Sequence, residues 1–279
     1  MSISGRSSLS LSLGSLLLAT LFSLTACGDG GDSTLPDLTP QWNTADFGAD
    51  TNITTFNIKS LSDFLEANTT ITNNAGNYVL NISGDVDVKD AIINPHADTN
   101  ISLRGGGTLN LSTGKKGLFN LWQPGSTLIL RNAVLKGNAG SGNEYELVSV
   151  DAGLTSFIMY GGTITGNTSV CSSPCYGGGV HVGSGSFTMY GGTISGNSAN
   201  VGGGVVVDVF SGGTFTKTGG IIYGNNASDS NKNMATDGNG SGHAVFVDVD
   251  GSTGDKYRDS TLGESDHIST ADLTSGWNK

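Results

Sequence analysis

The sequence predicts an all-β protein, a right-handed parallel β-helix of about six coils, because one stretch of it is repeated at a regular period. Residues 156–167 recur with few changes 30 residues later, as residues 186–197. A Gly-Gly-Gly-Val-x-Val sequence follows each copy, at residues 177–182 and 202–207. Such self-similarity is typical of repeat architectures, in which one unit buries its apolar face only by stacking on its neighbours.

The period continues on both sides of these two copies. Ile101, Leu128 and Phe215 occupy the place of Phe157 and Phe187, which gives five copies separated by 27, 29, 30 and 28 residues. Each unit contains three short alternating runs, and this alternation predicts strands with one buried face between Gly- and Asn-containing corners. Two-residue hairpin signals are missing, so we expect each strand to pair with its equivalent one coil away, at about 4.8 Å. A β-propeller is the competing interpretation, but its blades are longer, at roughly 40 residues.

The winding predicts which side chains point inward on each strand of a coil. The expected columns are Leu128, Phe157, Phe187 and Phe215 on the first strand, Leu135, Ile164, Ile194 and Ile222 on the second, and Phe119, Val148, Val180, Val205 and Val245 on the third. Four corner asparagines are expected to stack as an amide ladder. They are Asn138, Asn167, Asn197 and Asn225.

Residues 1–26 have the pattern of a secretory signal, with one positive charge at Arg6 followed by a short apolar core. The core ends in Leu24-Thr25-Ala26-Cys27, which resembles the lipobox of bacterial lipoproteins. This resemblance implies that Cys27 is lipidated, becomes the new N-terminus after cleavage and anchors the protein to a membrane. The alternative is an ordinary signal peptide with a chance cysteine.

Four further segments are predicted after the signal. Residues 27–56 are rich in Gly, Asp, Thr and Pro and are expected to form a flexible tether. Residues 57–75 contain an amphipathic helix, with Ser60 as N-cap and Leu61, Phe64 and Leu65 on one face. This helix is expected to cover the open end of the β-helix, whose exposed edge otherwise recruits other chains. The β-helix itself is assigned to residues 76–251, and residues 252–279 are expected to form a polar C-terminal cap.

Composition limits the partners of the folded body. The formal net charge is −11, the pI is near 4.5, and the sequence contains no basic patch. An acidic body repels nucleic acid, so no nucleic-acid partner is expected.

Cys171 and Cys175 remain once Cys27 is assigned to lipid. Two cysteines four residues apart in an exported loop favour a small disulfide. A metal site that recruits His181 is the alternative, but one Cys-x-x-x-Cys without a second pair is a weak signal, and no metal is predicted.

The sequence predicts no catalytic residues. The four histidines are scattered, and no nucleophile elbow, zinc-protease or phosphate-loop motif occurs. Asp151, Asp208 and Asp248 each follow a third strand. The alternative is an aspartate corner at these strand ends, made of Asp208, Asp248 and Asp250, where neighbouring carboxylates share Ca²⁺ or raise one pKa. Apart from that Ca²⁺, no cofactor is expected. The competing interpretation is a row of solvated turn residues.

A second outward-facing set is the tyrosine–arginine column, which consists of Arg104, Arg131, Tyr160 and Tyr190 on successive coils. The two tyrosines are expected to form a flat aromatic surface, edged by two guanidinium groups, that binds a sugar ring or an acidic glycan. The alternative is that the tyrosines only stabilise neighbouring strands through cross-strand pairing.

The repeat itself resembles a known family. Phe-x-Met-x-Gly-Gly-Thr-Ile-Ser-Gly-Asn followed by Gly-Gly-Gly-Val-x-Val resembles the repeats of pectin-lyase-like bacterial surface lipoproteins with a right-handed β-helix, and is similar to those of polymorphic outer-membrane adhesins. Tyr160 and Tyr190 depart from the adhesin pattern, which has Asn there. The resemblance implies a lipid-anchored protein of the outer membrane or cell surface, with a non-catalytic binding or structural role and a glycan or extracellular protein as partner. The alternative it implies is a lyase or hydrolase of acidic polysaccharides.

Overall fold

The structure is a computed structural model that describes residues 46–47, 52–89, 92–112, 117–140, 143–169, 176–236, 242–249, 255–273 and 277. The predicted signal peptide, Cys27, Cys171, Cys175 and Asp250 lie outside these residues. The predicted lipidation and disulfide therefore stay predictions.

Three sheets run along the molecule, and consecutive coils contribute neighbouring strands to each. Sheet 1 has the order β1 (Ile53–Ile58), β2 (Asn77–Ile82), β4 (Asn100–Arg104), β7 (Thr127–Leu130), β10 (Ser156–Met159), β13 (Ser186–Met189), β17 (Thr214–Lys217) and β22 (Ile268–Ser269). Sheet 2 has the order β18 (Ile221–Ile222), β14 (Thr193–Ser195), β11 (Thr163–Thr165), β8 (Val134–Lys136), β5 (Thr108–Leu111) and β3 (Asp85–Val88). Sheet 3 has the order β21 (Lys256–Arg258), β20 (Val245–Asp248), β16 (Val205–Asp208), β12 (Val180–Val182), β9 (Val148–Val150) and β6 (Phe119–Leu121).

A fourth, two-stranded sheet joins β15 (Ser198–Ala199) to β19 (Met234–Ala235). Pairing between coils is parallel in every sheet. Each of six coils contributes one strand to sheet 2. The predicted parallel β-helix of about six coils is therefore confirmed.

The strand register confirms the predicted repeat. Phe157 lies opposite Phe187, and Phe187 lies opposite Phe215. The ring centroids of these two pairs are 4.7 Å and 5.0 Å apart, with nearly parallel planes, and all three rings are buried. The second and third predicted columns are also in register and buried. Stacked aromatic pairs of this kind contribute roughly 0.5–1.5 kcal/mol beyond the area they bury.

The amide ladder exists, but half of its predicted members are wrong. Its buried members are Asn143, Asn167, Asn197 and Asn233. Asn143 Nδ2 donates to Asn167 Oδ1 at 2.8 Å, and Asn197 Nδ2 donates to Asn233 Oδ1 at 3.1 Å. Asn225 is exposed, and Asn138 bonds instead to the Ser112 carbonyl. Corner loops of different length displace the inward amide, so a constant offset from the strand does not identify it.

The Gly-Gly corner between the first and second strands depends on close backbone approach. The backbone of Gly192 has φ +88°, a conformation that residues with a side chain rarely adopt. A Cβ at this position would lie 2.7 Å from the Gly162 carbonyl oxygen of the preceding coil. The repeated glycine therefore allows adjacent coils to stack at strand spacing.

The helix α1 (Leu61–Asn73) begins where predicted. The Ser60 hydroxyl accepts a hydrogen bond from the Asp63 amide at 3.4 Å. The buried face consists of Phe64, Ala67 and Ile71, whereas Leu65 is 43% exposed, so the predicted face was only partly right. Within the described part of the chain, no helix is long and apolar enough to cross a membrane.

Both ends of the β-helix differ from a bare coil. Strand β1 begins at Ile53, within the segment assigned to the tether, and pairs with β2. At the other end, β21 and β22 pair antiparallel with β20 and β17. Lys217, in the position of Met159 and Met189, is fully buried and donates to the carbonyls of Gly263 at 2.7 Å and Asp266 at 2.9 Å. The C-terminal segment therefore covers the last coil.

Candidate functional site

The tyrosine–arginine column lies at the ends of the strands of sheet 1. Tyr160 follows β10 and Tyr190 follows β13 in the next coil. Their ring centroids are 5.1 Å apart with planes at 13°, and the side chains are 44% and 51% exposed. The structure thus places the two tyrosines next to each other at the surface, as the repeat predicts.

The rings stack face to face, which changes what they present to solvent. Rings side by side in one plane cannot bring their centroids this close, whereas offset-stacked rings do. The guanidinium carbon of Arg131 lies 4.4 Å from the Tyr160 centroid, on the face of that ring. The two rings therefore stack on each other, with Arg131 on a face of Tyr160, and do not lie side by side as the expected flat aromatic surface.

Both arginines of the column bind Asp46, a residue that sequence reasoning placed in the tether. Arg104 Nη2 donates to Asp46 Oδ2 at 2.5 Å, and Arg131 Nε donates to Oδ1 at 2.9 Å. The Ser102 hydroxyl donates to Oδ2 at 2.6 Å, and the carboxylate is completely buried. Burial alone would raise the pKa of Asp46, but the hydrogen bonds from Arg131, Ser102 and Arg104 lower it below its ordinary value. The column therefore already binds one carboxylate of its own chain.

The aspartate corner has a simpler geometry. Asp208 lies opposite Asp248 in the register of β16 and β20, as predicted. The carboxylate of Asp208 accepts hydrogen bonds from the Ser211 amide at 2.9 Å and the Ser211 hydroxyl at 2.5 Å. These bonds close a tight turn after β16, which matches the turn-residue interpretation. Asp250, the third predicted member, is outside the described residues.

A cavity that the sequence did not predict lies on the outer face of sheet 3. Its volume is about 310 Å³. Asn120, Ser149 and His181 line it from equivalent outward positions on β6, β9 and β12. Glu146 and Asp151 line it from the two ends of β9, and Tyr145 and Tyr176 are also among its lining residues. We call this the acidic cavity.

Glu146, Asp151 and His181 converge within the acidic cavity. One side-chain N or O atom of each lies within 4.8 Å of the other two. His181 Nδ1 is 3.3 Å from Asp151 Oδ1, and the Ser149 hydroxyl donates to the other oxygen of Asp151. Asp151 lies between Ser149 and His181, so no imidazole activates the serine, and the three residues do not form a Ser-His-Asp triad.

The pKa values of the two carboxyl groups move in opposite directions. Burial raises the pKa of Glu146, and the charge of His181 offsets this only in part. Burial would also raise the pKa of Asp151, but hydrogen bonds with His181 and Ser149 lower it. Burial would lower the pKa of His181, but the hydrogen bond to Asp151 and the charges of the carboxylates raise it.

In the sequence, only the alignment of equivalent positions on successive coils indicates this cavity. His181 is an outward residue on the third strand, and Ser149 takes the same position one coil earlier. Spacing placed Asp151 at the end of a third strand, at the position of Asp208 and Asp248. Glu146 lies outside the alternating run, where spacing gives no indication of direction. Their convergence depends on corner conformations that the repeat does not encode.

The fold and the two sites define the class of protein: it is a parallel β-helix with a tyrosine–arginine column on sheet 1 and an acidic cavity on sheet 3. No protein-family model matches the chain, and no curated protein or solved structure matches it.

Proposed function

We propose that this protein is a lipid-anchored surface protein of the cell envelope that binds an acidic glycan without chemically changing it. The observation that carries the proposal is the pair of stacked, half-exposed tyrosines, Tyr160 and Tyr190, beside the guanidinium group of Arg131. Exposed tyrosines combine an apolar ring with a hydrogen-bonding hydroxyl, which suits contact with sugars.

The charge of the column supports an acidic ligand. Arg104 and Arg131 already coordinate the carboxylate of Asp46, which is the chemistry that a uronic acid or sialic acid offers. The proposed ligand is therefore a carboxylate-bearing oligosaccharide. Binding to an extracellular protein instead would replace this proposal.

The N-terminal sequence supports the location. A secretory-type segment followed by Leu-Thr-Ala-Cys27 fits lipid attachment, and the Gly- and Asp-rich residues that follow fit a spacer between a membrane and the β-helix. Cys27→Ala should turn a detergent-phase protein into a soluble or uncleaved one. Unaltered partitioning would show that lipid on Cys27 is not the anchor.

The binding proposal is tested on an array of glycans and matrix proteins. The double variant Tyr160→Ala/Tyr190→Ala should lose at least about tenfold of the signal for acidic glycans, since a hot-spot aromatic contributes about 2 kcal/mol or more. Phe210→Ala is the matched control, because Phe210 is an 80% exposed aromatic residue outside the column. Equal binding by wild type and the double variant removes the column as the binding surface.

A second candidate is a polysaccharide-active enzyme that uses the acidic cavity instead of the aspartate corner. The observation that favours it is the opposite pKa shift of Glu146 and Asp151 in one cavity, since carboxyl pairs of this kind divide acid and base roles. Release of new reducing ends or unsaturated uronides from acidic glycans, abolished by Glu146→Gln, would favour the enzyme. Release that Asp208→Ala abolishes would place the chemistry at the aspartate corner.

A further inference from the structure

The two arginines of the tyrosine–arginine column are placed by the repeat. Arg104 ends β4, and Arg131 directly follows β7. The residues before them, Leu103 and Leu130, are paired in the strand register. Strand spacing therefore holds the arginines on neighbouring coils, about 4.8 Å apart along the axis. Their side chains are only 14% and 17% exposed, and two like charges in such a position require an anion beside them.

The anion comes from a part of the chain outside the repeat. Asp46 precedes β1, and its carboxylate accepts hydrogen bonds from both arginines and from the Ser102 hydroxyl. Ser102 belongs to β4, so the coils supply all three donors and the segment before β1 supplies only the acceptor. We call Ser102, Arg104 and Arg131 the carboxylate site. Asp46 is the occupant that the chain itself provides for this site.

The carboxylate site adjoins the surface that is proposed to bind a glycan. The guanidinium group of Arg131 binds Asp46 and also lies 4.4 Å from the Tyr160 ring centroid. A uronic or sialic acid carries a sugar ring and a carboxylate in one molecule, which suits the tyrosines and the arginines together. The carboxylate of Asp46 is completely buried in the site. Two carboxylates cannot share this position, because like charges repel at such a distance.

We propose that Asp46 competes with the carboxylate of an acidic glycan for the carboxylate site. This inference rests on the proposed function, because the glycan is the ligand assigned there to the tyrosine–arginine column. The two carboxylates exclude each other, so each weakens the binding of the other by the same factor. Glycan binding therefore releases Asp46 from sheet 1. The affinity of the wild type is lower than that of the open site, because Asp46 occupies the site in most molecules.

The competition is tested by calorimetric titration of the full-length protein in detergent with a tetrasaccharide of glucuronic acid. Asp46→Asn should bind this acid at least about tenfold more tightly than wild type, because a neutral amide is a weaker partner for two guanidinium groups. The methyl ester of the tetrasaccharide should bind equally to both proteins. Asp229→Asn is the matched control for net charge and should bind like wild type, since Asp229 belongs to an exposed pair with Lys232.

A second measurement tests the site without a glycan. Asp46→Gly opens the space of the carboxylate, so sodium acetate should raise its melting temperature above the value in sodium chloride of equal ionic strength. The melting temperature of wild type should be the same in both salts. Asp46→Asn retains the shape of the side chain, so the affinity comparison still decides the question if the glycine variant does not fold.

The outcomes separate this inference from the proposed function. Equal affinity of wild type and Asp46→Asn for the acid, or no response of Asp46→Gly to acetate, would overturn the competition. Glycan binding that depends on Tyr160 and Tyr190 would still support the proposed function in that case. A response of Asp46→Gly to acetate without glycan binding by any variant would instead overturn the proposed function and support the carboxylate site.

Discussion

The carboxylate of Asp46 binds the guanidinium group of Arg131, 85 residues away in sequence, on the surface of sheet 1. Arg104 from the preceding coil binds the same carboxylate. A residue before the first strand is thereby bound to the side of the β-helix through Arg131, whose guanidinium group lies over the Tyr160 ring. The tyrosine–arginine column is thus connected to the part of the chain that leads to the N-terminus.

Asp46→Asn should lower the free energy of unfolding by about 2 kcal/mol, because it leaves two largely buried guanidinium groups without their carboxylate. Urea denaturation measures the change. Asp229→Asn removes a carboxylate from the exposed pair with Lys232 and should leave stability unchanged. Equal stability of Asp46→Asn and wild type would show that this contact does not hold the segment.

The same pair predicts a pH dependence. The pKa of Asp46 is lower in the folded protein than its ordinary value of 3.8, so the unfolded state takes up a proton first as pH falls. Its contribution to stability is therefore complete above the unfolded value and is lost as pH falls through the folded value. The stability difference between wild type and Asp46→Asn should be constant at neutral pH and shrink below about pH 4. A difference that persists in strong acid would contradict this assignment.

Asn233→Ala should destabilise the protein by roughly 2 kcal/mol or more, because Asn233 is fully buried and bonds to the carbonyls of Ile194 and Tyr223. Asn225→Ala should have little effect, since Asn225 is exposed. Thermal unfolding of the two variants compares the observed ladder with the one predicted from the repeat. A larger loss of stability in Asn225→Ala than in Asn233→Ala would show that Asn225 belongs to the ladder.

Phe187→Ala should cost about 3–5 kcal/mol, because its ring is buried between Phe157 and Phe215 and leaves a cavity. Thr188→Ala, at the neighbouring half-buried position, serves as control. Chemical denaturation should show a much larger loss for Phe187→Ala. Similar losses in the two variants would be inconsistent with a stacked aromatic core.

Lys217→Met restores the methionine of the earlier coils but removes two hydrogen bonds to the C-terminal segment. We expect a loss of about 1–3 kcal/mol and faster amide hydrogen exchange in residues 255–273. Lys136→Met, at an exposed position of sheet 2, should change neither quantity. Unchanged exchange in Lys217→Met would show that other contacts hold the C-terminal segment.

The fold could be predicted because the same inward-facing residues recur at a regular spacing in the sequence. The register of Phe157, Phe187 and Phe215 follows from spacing alone, since each coil must present the same inward residue to its neighbours. Corners vary in length, and there the prediction was incomplete. Asn233 replaces Asn225 in the ladder because the corner after β18 is longer than the corners before it.

The sites were less predictable than the fold. Position in the coil placed Tyr160 beside Tyr190, but the direction of the rings depends on packing that the alternation does not specify. Asp46 lies in a segment without periodicity, so no pattern connected it to Arg104 or Arg131. Of the three residues that converge in the acidic cavity, only His181 lies on a strand. The position of Glu146 depends on a loop, which the repeat does not predict.

Fluorine NMR of the full-length protein labelled with 3-fluorotyrosine tests most directly whether the tyrosine–arginine column is the binding surface. The chain has seven tyrosines, each assigned by a Tyr→Phe variant. On titration with an acidic oligosaccharide, the resonances of Tyr160 and Tyr190 should shift and saturate together, while those of Tyr223 and Tyr257 stay in place. Shifts confined to Tyr145 and Tyr176, which line the acidic cavity, would contradict the account and place the ligand there.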